Sequence, residues 1–184
     1  KALRANKVDP KDVQLVNQNM SAAVTAFISG SVPAVALWVP FNVTVRDKVP
    51  GAVKLADASA YYPQAAIIGG WAARNDYYGA NQETLAKLIR GWADANDYIV
   101  ANSGPAMEAL QKNHYPQTPL TDINEQFKAQ KMFTSKDWKR MYSDGTVAKW
   151  LQQSTDFFMT NAGVKDFTPA KTYFDPSLYL KTIA

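Results

Sequence analysis

Apolar residues in the first half of the chain fall in short continuous runs, which are typical of buried parallel strands. A helical pattern separates the first two runs, with Ser21 as its N-cap and Gly30 just beyond its end. This order predicts a strand–helix–strand unit over residues 13–38, with its two strands parallel. The runs occupy residues 13–16, 32–38, 53–56 and 65–71.

The second half of the chain has a helical period instead. From Asn81 onward, apolar positions recur every three to four residues through Ile99, which predicts a long amphipathic helix containing Trp92. Further helices are predicted to begin at Ser103 and Ser135, across residues 147–158 and after Asp175-Pro176. A short one is expected over residues 42–48. Trp92 and Trp150 lie on helical patterns and are expected in the core.

Composition narrows the possible classes of protein. Hydrophobic residues make up 47% and charged residues 20% of the 184 positions, which argues against a disordered chain. The net charge of +4 is scattered, without a run of five basic residues, so composition gives no case for nucleic-acid binding. No apolar stretch is long enough to span a membrane.

Residues that commonly carry catalysis or bind metals are scarce. The chain has no cysteine, and His114 is its one histidine, in a predicted loop before Tyr115-Pro116. A Ser-His-Asp triad would have to use His114, a histidine-based metal site needs more ligands, and the aspartates form no calcium-loop pattern. We therefore expect no catalytic residue, no metal and no cofactor, and His114→Ala is predicted to leave function untouched.

Three segments carry a family resemblance. The first begins Val8-Asp9-Pro10 and leads into the first apolar run, the second ends Trp38-Val39-Pro40-Phe41, and the third joins the long helix to Ser103-Gly104-Pro105. Together with Tyr173-Phe174-Asp175-Pro176, they resemble type II periplasmic solute-binding proteins of ABC transporters. The similar group is the nitrate/sulfonate/taurine binders, which are related to the thiamine-precursor binders.

The resemblance implies an α/β fold of the periplasmic-binding-protein type II, with two lobes and a helical C-terminus. The present chain would be its C-terminal part. Residues 1–40 would form part of the second lobe as strand–helix–strand. Residues 41–184 would form the rest of that lobe, the hinge crossing and the C-terminal helices that return to the first lobe. Two departures, Pro33 and Val39 in place of acidic residues of the family pattern, leave the class of ligand open.

Ligand contacts in a two-lobed binder come from strand ends and from the helix starts that follow them. Three segments of this chain fit that description, after the first, second and third apolar runs. The candidate ligand-binding residues are Asn19, Ser21, Trp38, Phe41, Ser59, Tyr61 and Tyr62.

The implied function is the substrate-binding component of an ABC importer, which would capture a small solute, such as the anions nitrate or a sulfonate, in a cleft between lobes. Its partners would be that solute and a membrane permease, and its location periplasmic or otherwise extracytoplasmic, with a lipid anchor as one option. Two alternatives use the same fold: an enzyme similar to the pyrimidine-precursor synthases, and a regulatory effector domain similar to those of LysR-type regulators.

Two expectations depend on half of the cleft being supplied from outside this chain. Trp38 should be more exposed than a residue at the end of an apolar strand usually is. The chain alone should bind its ligand weakly or not at all, because hinge closure normally buries a ligand between two lobes.

Overall fold

The computed structural model describes residues 2–66, 68–161 and 166–183, and the regular secondary structure of these residues is helical. The described residues contain eleven α-helices, with short 3-10 turns at Pro10–Asp12 and Ala58–Tyr61. The helices are α1 Ala2–Ala5, α2 Met20–Ile28, α3 Phe41–Lys48, α4 Asn75–Ala80, α5 Gln82–Ala101, α6 Ser103–His114, α7 Leu120–Lys128, α8 Ser135–Ser143, α9 Thr146–Asn161, α10 Ala170–Tyr173 and α11 Ser177–Thr182.

The predicted α/β two-lobed fold is wrong, because no strand occurs in the described residues. The apolar runs that predicted strands have no ladder partner there, and a strand without a partner leaves its backbone N–H and C=O groups unpaired. Several of their side chains are exposed, with Leu15 exposed over 78% of its surface, Leu55 over 81% and Trp71 over 72%. Ala66 and Ile68 of the fourth run are the exception, because they pack against a hydrophobic cluster formed by helices.

The strand–helix–strand unit over residues 13–38 fails for the same reason, although its central helix exists as α2. Residue 67, within the fourth run, lies outside the described residues. The boundary proposed at residue 40 stays a prediction. Within the first run, Val13 has extended backbone, with φ −121° and ψ 125°.

Helices predicted from the 3.6-residue period are confirmed, with small shifts at their ends. The pattern from Asn81 is α5, the pattern from Ser103 is α6, and the short pattern at 42–48 is α3. The cap of α2 is Asn19 rather than Ser21, and the cap of α8 is Thr134 rather than Ser135. Helices α4, α7 and α10 were not predicted.

Gly30 follows α2 with φ +78°, a left-handed conformation that side chains with a Cβ rarely adopt. It stands just after the C-cap residue Ser29, and the next N–H, that of Ser31, donates to the carbonyl of Ala26. This is the helix ending that the sequence predicts for Gly30.

The part of the chain from α4 to α11 is called the helical part below. Helix α5 is at its centre, because α4, α6, α8 and α11 all pack against it. Two hydrophobic clusters fill the space between helices. The smaller lies between α6 and α7 around Met107 and Ile123. The larger joins α8 and α9 around Met141, Val147 and Trp150, and the loop residue Tyr62 packs against it.

A polar junction fixes the start of α8 against α5 and α11. The backbone N–H and the hydroxyl of Ser135 donate to the two carboxylate oxygens of Asp97, over 2.6 and 2.5 Å. The hydroxyl of Tyr179 donates to the Ser135 carbonyl over 3.1 Å. Next to it, Asn96 donates from its side-chain amide to the Phe133 carbonyl over 2.7 Å. Side chains of two helices therefore satisfy backbone groups at the start of a third.

Tyr179 makes the stability of this junction depend on pH. Burial, and then the proximity of Tyr142 and Asp97, raise the pKa of Tyr179 to about 12. Since the pKa is higher in the folded than in the unfolded state, Tyr179 supports the folded state fully below its unfolded pKa of about 10. We expect this contribution to be lost as pH rises from about 10 towards 12. In Tyr179→Phe the free energy of unfolding, measured by denaturant titration at each pH, should therefore fall less over this range. The same fall in Tyr179→Phe as in the parent chain would contradict this assignment.

An ion pair joins α3, which precedes the helical part, to α7. Arg46 on α3 contacts the buried carboxylate of Asp122 on α7 over 3.2 Å, and also Glu125 over 3.6 Å. Hydrogen bonding to Asp122 and Asp47 raises the pKa of Arg46. This contact joins residues that are 76 positions apart in the sequence and holds α3 beside α7.

Candidate functional site

The residues predicted to bind ligand lie in three separate places. Asn19 and Ser21 lie at the start of α2, Trp38 and Phe41 flank the start of α3, and Ser59, Tyr61 and Tyr62 lie in and after the second 3-10 turn. Their ligand-binding role stays a prediction. Tyr62 is the member that lines a cavity of the described residues.

Asn19 has a structural task at its position. Its side-chain oxygen accepts a hydrogen bond from the Ala22 N–H over 2.9 Å and so caps α2. Ser21 is exposed in the first turn, and its carbonyl accepts from the Thr25 hydroxyl. This cap therefore occupies one of the free N–H groups at the start of α2, which is then not available to a ligand.

Trp38 is exposed over 64% of its surface, as expected from the sequence, and precedes a cis Val39-Pro40 bond. Phe41 is half-buried as the first residue of α3. The side-chain oxygen of the next residue, Asn42, is buried and has no hydrogen-bond partner among the described residues. The sequence analysis did not select Asn42.

Ser59 and Tyr61 belong to a compact turn. The backbone N–H and hydroxyl of Ser59 both donate to the Asp57 carboxylate over 2.9 Å, and these bonds lower the pKa of Asp57. The Ser59 hydroxyl is thus engaged within its own turn. Tyr61 is half-buried beside it.

Tyr62 packs against the larger hydrophobic cluster. Its ring centroid lies 5.7 Å from that of Trp150, edge to face, and 5.9 Å from that of Phe133. The ammonium of Lys131 lies 4.2 Å from the Tyr62 centroid, within the range of a cation–π interaction. A loop residue is thereby fixed on a helical surface.

A cavity of about 560 Å³ opens beside these rings, and we call it the aromatic pocket. Tyr62 and the cis-linked Pro63 form one side, and α8 and α9 form the other. Its volume falls in the range of roughly 300–1,000 Å³ that small-molecule sites occupy. The residues lining it are Tyr62, Pro63, Gln64, Arg140, Met141, Thr146, Lys149, Trp150 and Gln153.

The turn between α8 and α9 shapes the pocket. Gly145 has φ +78°, which a side chain with a Cβ would strain, and it lets α9 start directly after α8. Thr146, Lys149, Trp150 and Gln153 then follow each other at helical spacing and share one face of α9. This wall of the pocket therefore carries three polar side chains and the aromatic ring of Trp150.

The charged groups that line the pocket are both basic. Arg140 lies 3.4 Å from Asp144, one turn away, and its side chain is still 63% exposed. Lys149 forms no ion pair with the side chains the structure describes. Hydrogen bonds from Thr146 lower the pKa of Asp144, which therefore stays ionised beside Arg140. The pocket combines two cations, an apolar floor and amide groups, which suits a small anion.

Of these lining residues, Tyr62 was selected from the sequence as a candidate ligand-binding residue, whereas Arg140, Lys149 and Gln153 were not. The available signal was the spacing of residues 146, 149, 150 and 153, which predicts one helix face. It could not show that residue 62 packs on that face.

The described residues give no sign of a metal or triad site. No group of three or more His, Asp or Glu side chains there is arranged to hold a metal ion. His114 is the last residue of α6 and is exposed, rather than lying in a loop as predicted. None of the helices in the described part of the chain has the length and apolar character needed to cross a membrane.

Comparison with protein families identifies the class of this chain. The family described as "NMT1/THI5 like" matches residues 1–106, which is more than half of the chain. The chain therefore belongs to the NMT1/THI5-like family. The resemblance to solute-binding proteins seen in the sequence is supported at this level.

Related proteins carry names of the same kind. Proteins of Brucella abortus strain 2308, Brucella suis biovar 1 and Brucella melitensis biotype 1 are each 28% identical to the chain over 163 residues and are named "Putative binding protein". The match covers 89% of this chain and 50% of each relative, so the chain spans about half the length of the relatives it matches. No solved structure gave a significant match.

Proposed function

We propose that this chain belongs to the solute-binding component of an ABC-type importer, which captures a small solute outside the cytoplasm and delivers it to a membrane permease. The observation that carries the proposal is the family match over residues 1–106, together with relatives named as binding proteins. Capture requires a concave surface with a few polar groups, and the aromatic pocket supplies one.

Binding is favoured over catalysis by the chemistry of the described residues. His114 lies at the exposed end of α6, away from the lining of the aromatic pocket. The lining groups are amides, a hydroxyl, two cations and aromatic rings, which hold a solute and activate no nucleophile by themselves. We therefore expect the ligand to be released unchanged.

The proposal is tested by solute recovery. The protein is incubated with a metabolite extract from its source organism and desalted, and the small molecules released on denaturation are identified by mass spectrometry. We expect one chemically unchanged solute to be enriched over a matched sample of heat-denatured protein. Recovery of a new product that accumulates with time would instead support the alternative of an enzyme.

Delivery to a permease is tested separately. Uptake of the recovered solute by cells of the source organism should fall when this gene is deleted and return when it is restored. Undiminished uptake in the deletion strain would contradict the transport role without affecting the binding result.

A further inference from the structure

We propose that the aromatic pocket binds a small organic anion with a flat aromatic body, such as an aromatic carboxylate. This deepens the proposed function and rests on it for the idea that the chain captures a solute. The class of ligand is inferred from three features of the pocket lining: its aromatic rings, its two cations and its side-chain amides.

The apolar body of the ligand is indicated by the floor of the pocket. Met141 and Trp150 are 2% and 5% exposed and belong to the larger hydrophobic cluster, so the floor is fixed by the core. Tyr62 stands at the side, edge to face with Trp150. A flat ring would gain contact with Tyr62 and Trp150 in the offset or edge-to-face arrangements that aromatic pairs favour.

The charge of the ligand is indicated by the rim. Arg140 and Lys149 come from two different helices that meet at the Gly145 turn, and the lining residues include no Asp or Glu. Arg140 spends part of its hydrogen-bonding capacity on Asp144, but a guanidinium has five N–H donors, which leaves donors for a carboxylate. A neutral ring would leave Lys149 without a counter-charge at the pocket, while Arg140 would keep only its contact with Asp144.

Two glutamines in the pocket lining can also hold the carboxylate oxygens. Gln64 and Gln153 approach from opposite walls, one from the loop and one from α9. Their side-chain amides can donate to an anion that the two cations hold. The open rim predicts modest affinity.

Benzoate is the first probe, and benzamide is its neutral counterpart of the same shape. Binding to the 184-residue chain is followed by the indole N–H resonance of Trp150 in nuclear magnetic resonance spectra, assigned by its loss in Trp150→Phe. We expect benzoate to shift this resonance with a dissociation constant in the millimolar range, benzamide to bind more weakly, and added salt to weaken benzoate binding.

Lys149→Gln removes one rim cation and replaces it with a shorter, neutral polar side chain. It should weaken benzoate binding by about three-fold or more and leave benzamide binding unchanged. Lys136→Gln, on α8 but not in the pocket lining, is the matched control and should bind benzoate like the parent chain.

Equal affinity for benzoate and benzamide, the same affinity in Lys149→Gln, or no shift of the Trp150 resonance would each overturn the assignment of an aromatic anion. The protein could still recover an unchanged solute from the extract in that case. Its binding function would then be supported, and the solute would bind at another site. Asn19, Trp38 and Ser59 would be the next residues to replace.

Discussion

Replacing Trp150 by alanine is expected to lower the free energy of unfolding by about 3–5 kcal/mol. Trp150 is only 5% exposed and packs with Met141 and Val147 between α8 and α9. The truncation would leave a large cavity there and remove the ring that holds Tyr62 in place. Chemical denaturation followed by circular dichroism at the helical band measures the change.

Trp71→Ala is the matched control for that prediction. Trp71 is 72% exposed, so its loss should change the free energy of unfolding by no more than about 0.5 kcal/mol. Similar losses for the two variants would mean that the α8–α9 cluster is not the core of the helical part.

Replacing Asp97 by alanine is expected to cost about 2–4 kcal/mol, because two hydrogen bonds to a charged group are lost at once. Both bonds go to Ser135, whose backbone N–H would be left without this partner at the start of α8. Helix α8 carries Arg140 and Met141, so the loss at α5 should also loosen the aromatic pocket. The measurements are the free energy of unfolding and hydrogen exchange along α8.

Asp94→Ala, on the exposed side of the same helix one turn earlier, controls for the loss of an acidic residue from α5. It should leave both stability and exchange near the values of the parent chain. Fast exchange in α8 of Asp94→Ala, or slow exchange in Asp97→Ala, would contradict the role given to the Asp97–Ser135 junction.

Helical elements could be predicted from sequence because their signal is local. In α5 the 3.6-residue period and a start at Asn81 are both contained in one stretch, and hydrogen bonds within the helix need no other segment. The cap of α2 was placed at Ser21 instead of Asn19 because either side chain can accept from the first turn, and only the backbone geometry decides.

The strand predictions were wrong because a strand is specified only in part by its own sequence. An apolar run such as residues 32–38 indicates a preference for extended, buried backbone, but a strand also needs a neighbour with which to pair. The described residues supply none, and Trp38 is left 64% exposed. The apolar pattern of these segments therefore did not determine whether they pair as strands.

The candidate site was partly predictable for a related reason. Tyr62 could be selected as an aromatic residue after an apolar run, while Arg140 and Lys149 look like ordinary surface cations on helices. Their relation to Tyr62 depends on the packing of a loop on a helix pair about 80 residues further along the chain. No local pattern carries that information.

Native mass spectrometry of the complete protein isolated from its source tests whether this protein binds a small solute. We expect a mass above that of the polypeptide by one small molecule, which is released intact on denaturation. A protein that carries no solute when isolated, and takes up none from the metabolite extract of its source, would contradict this expectation.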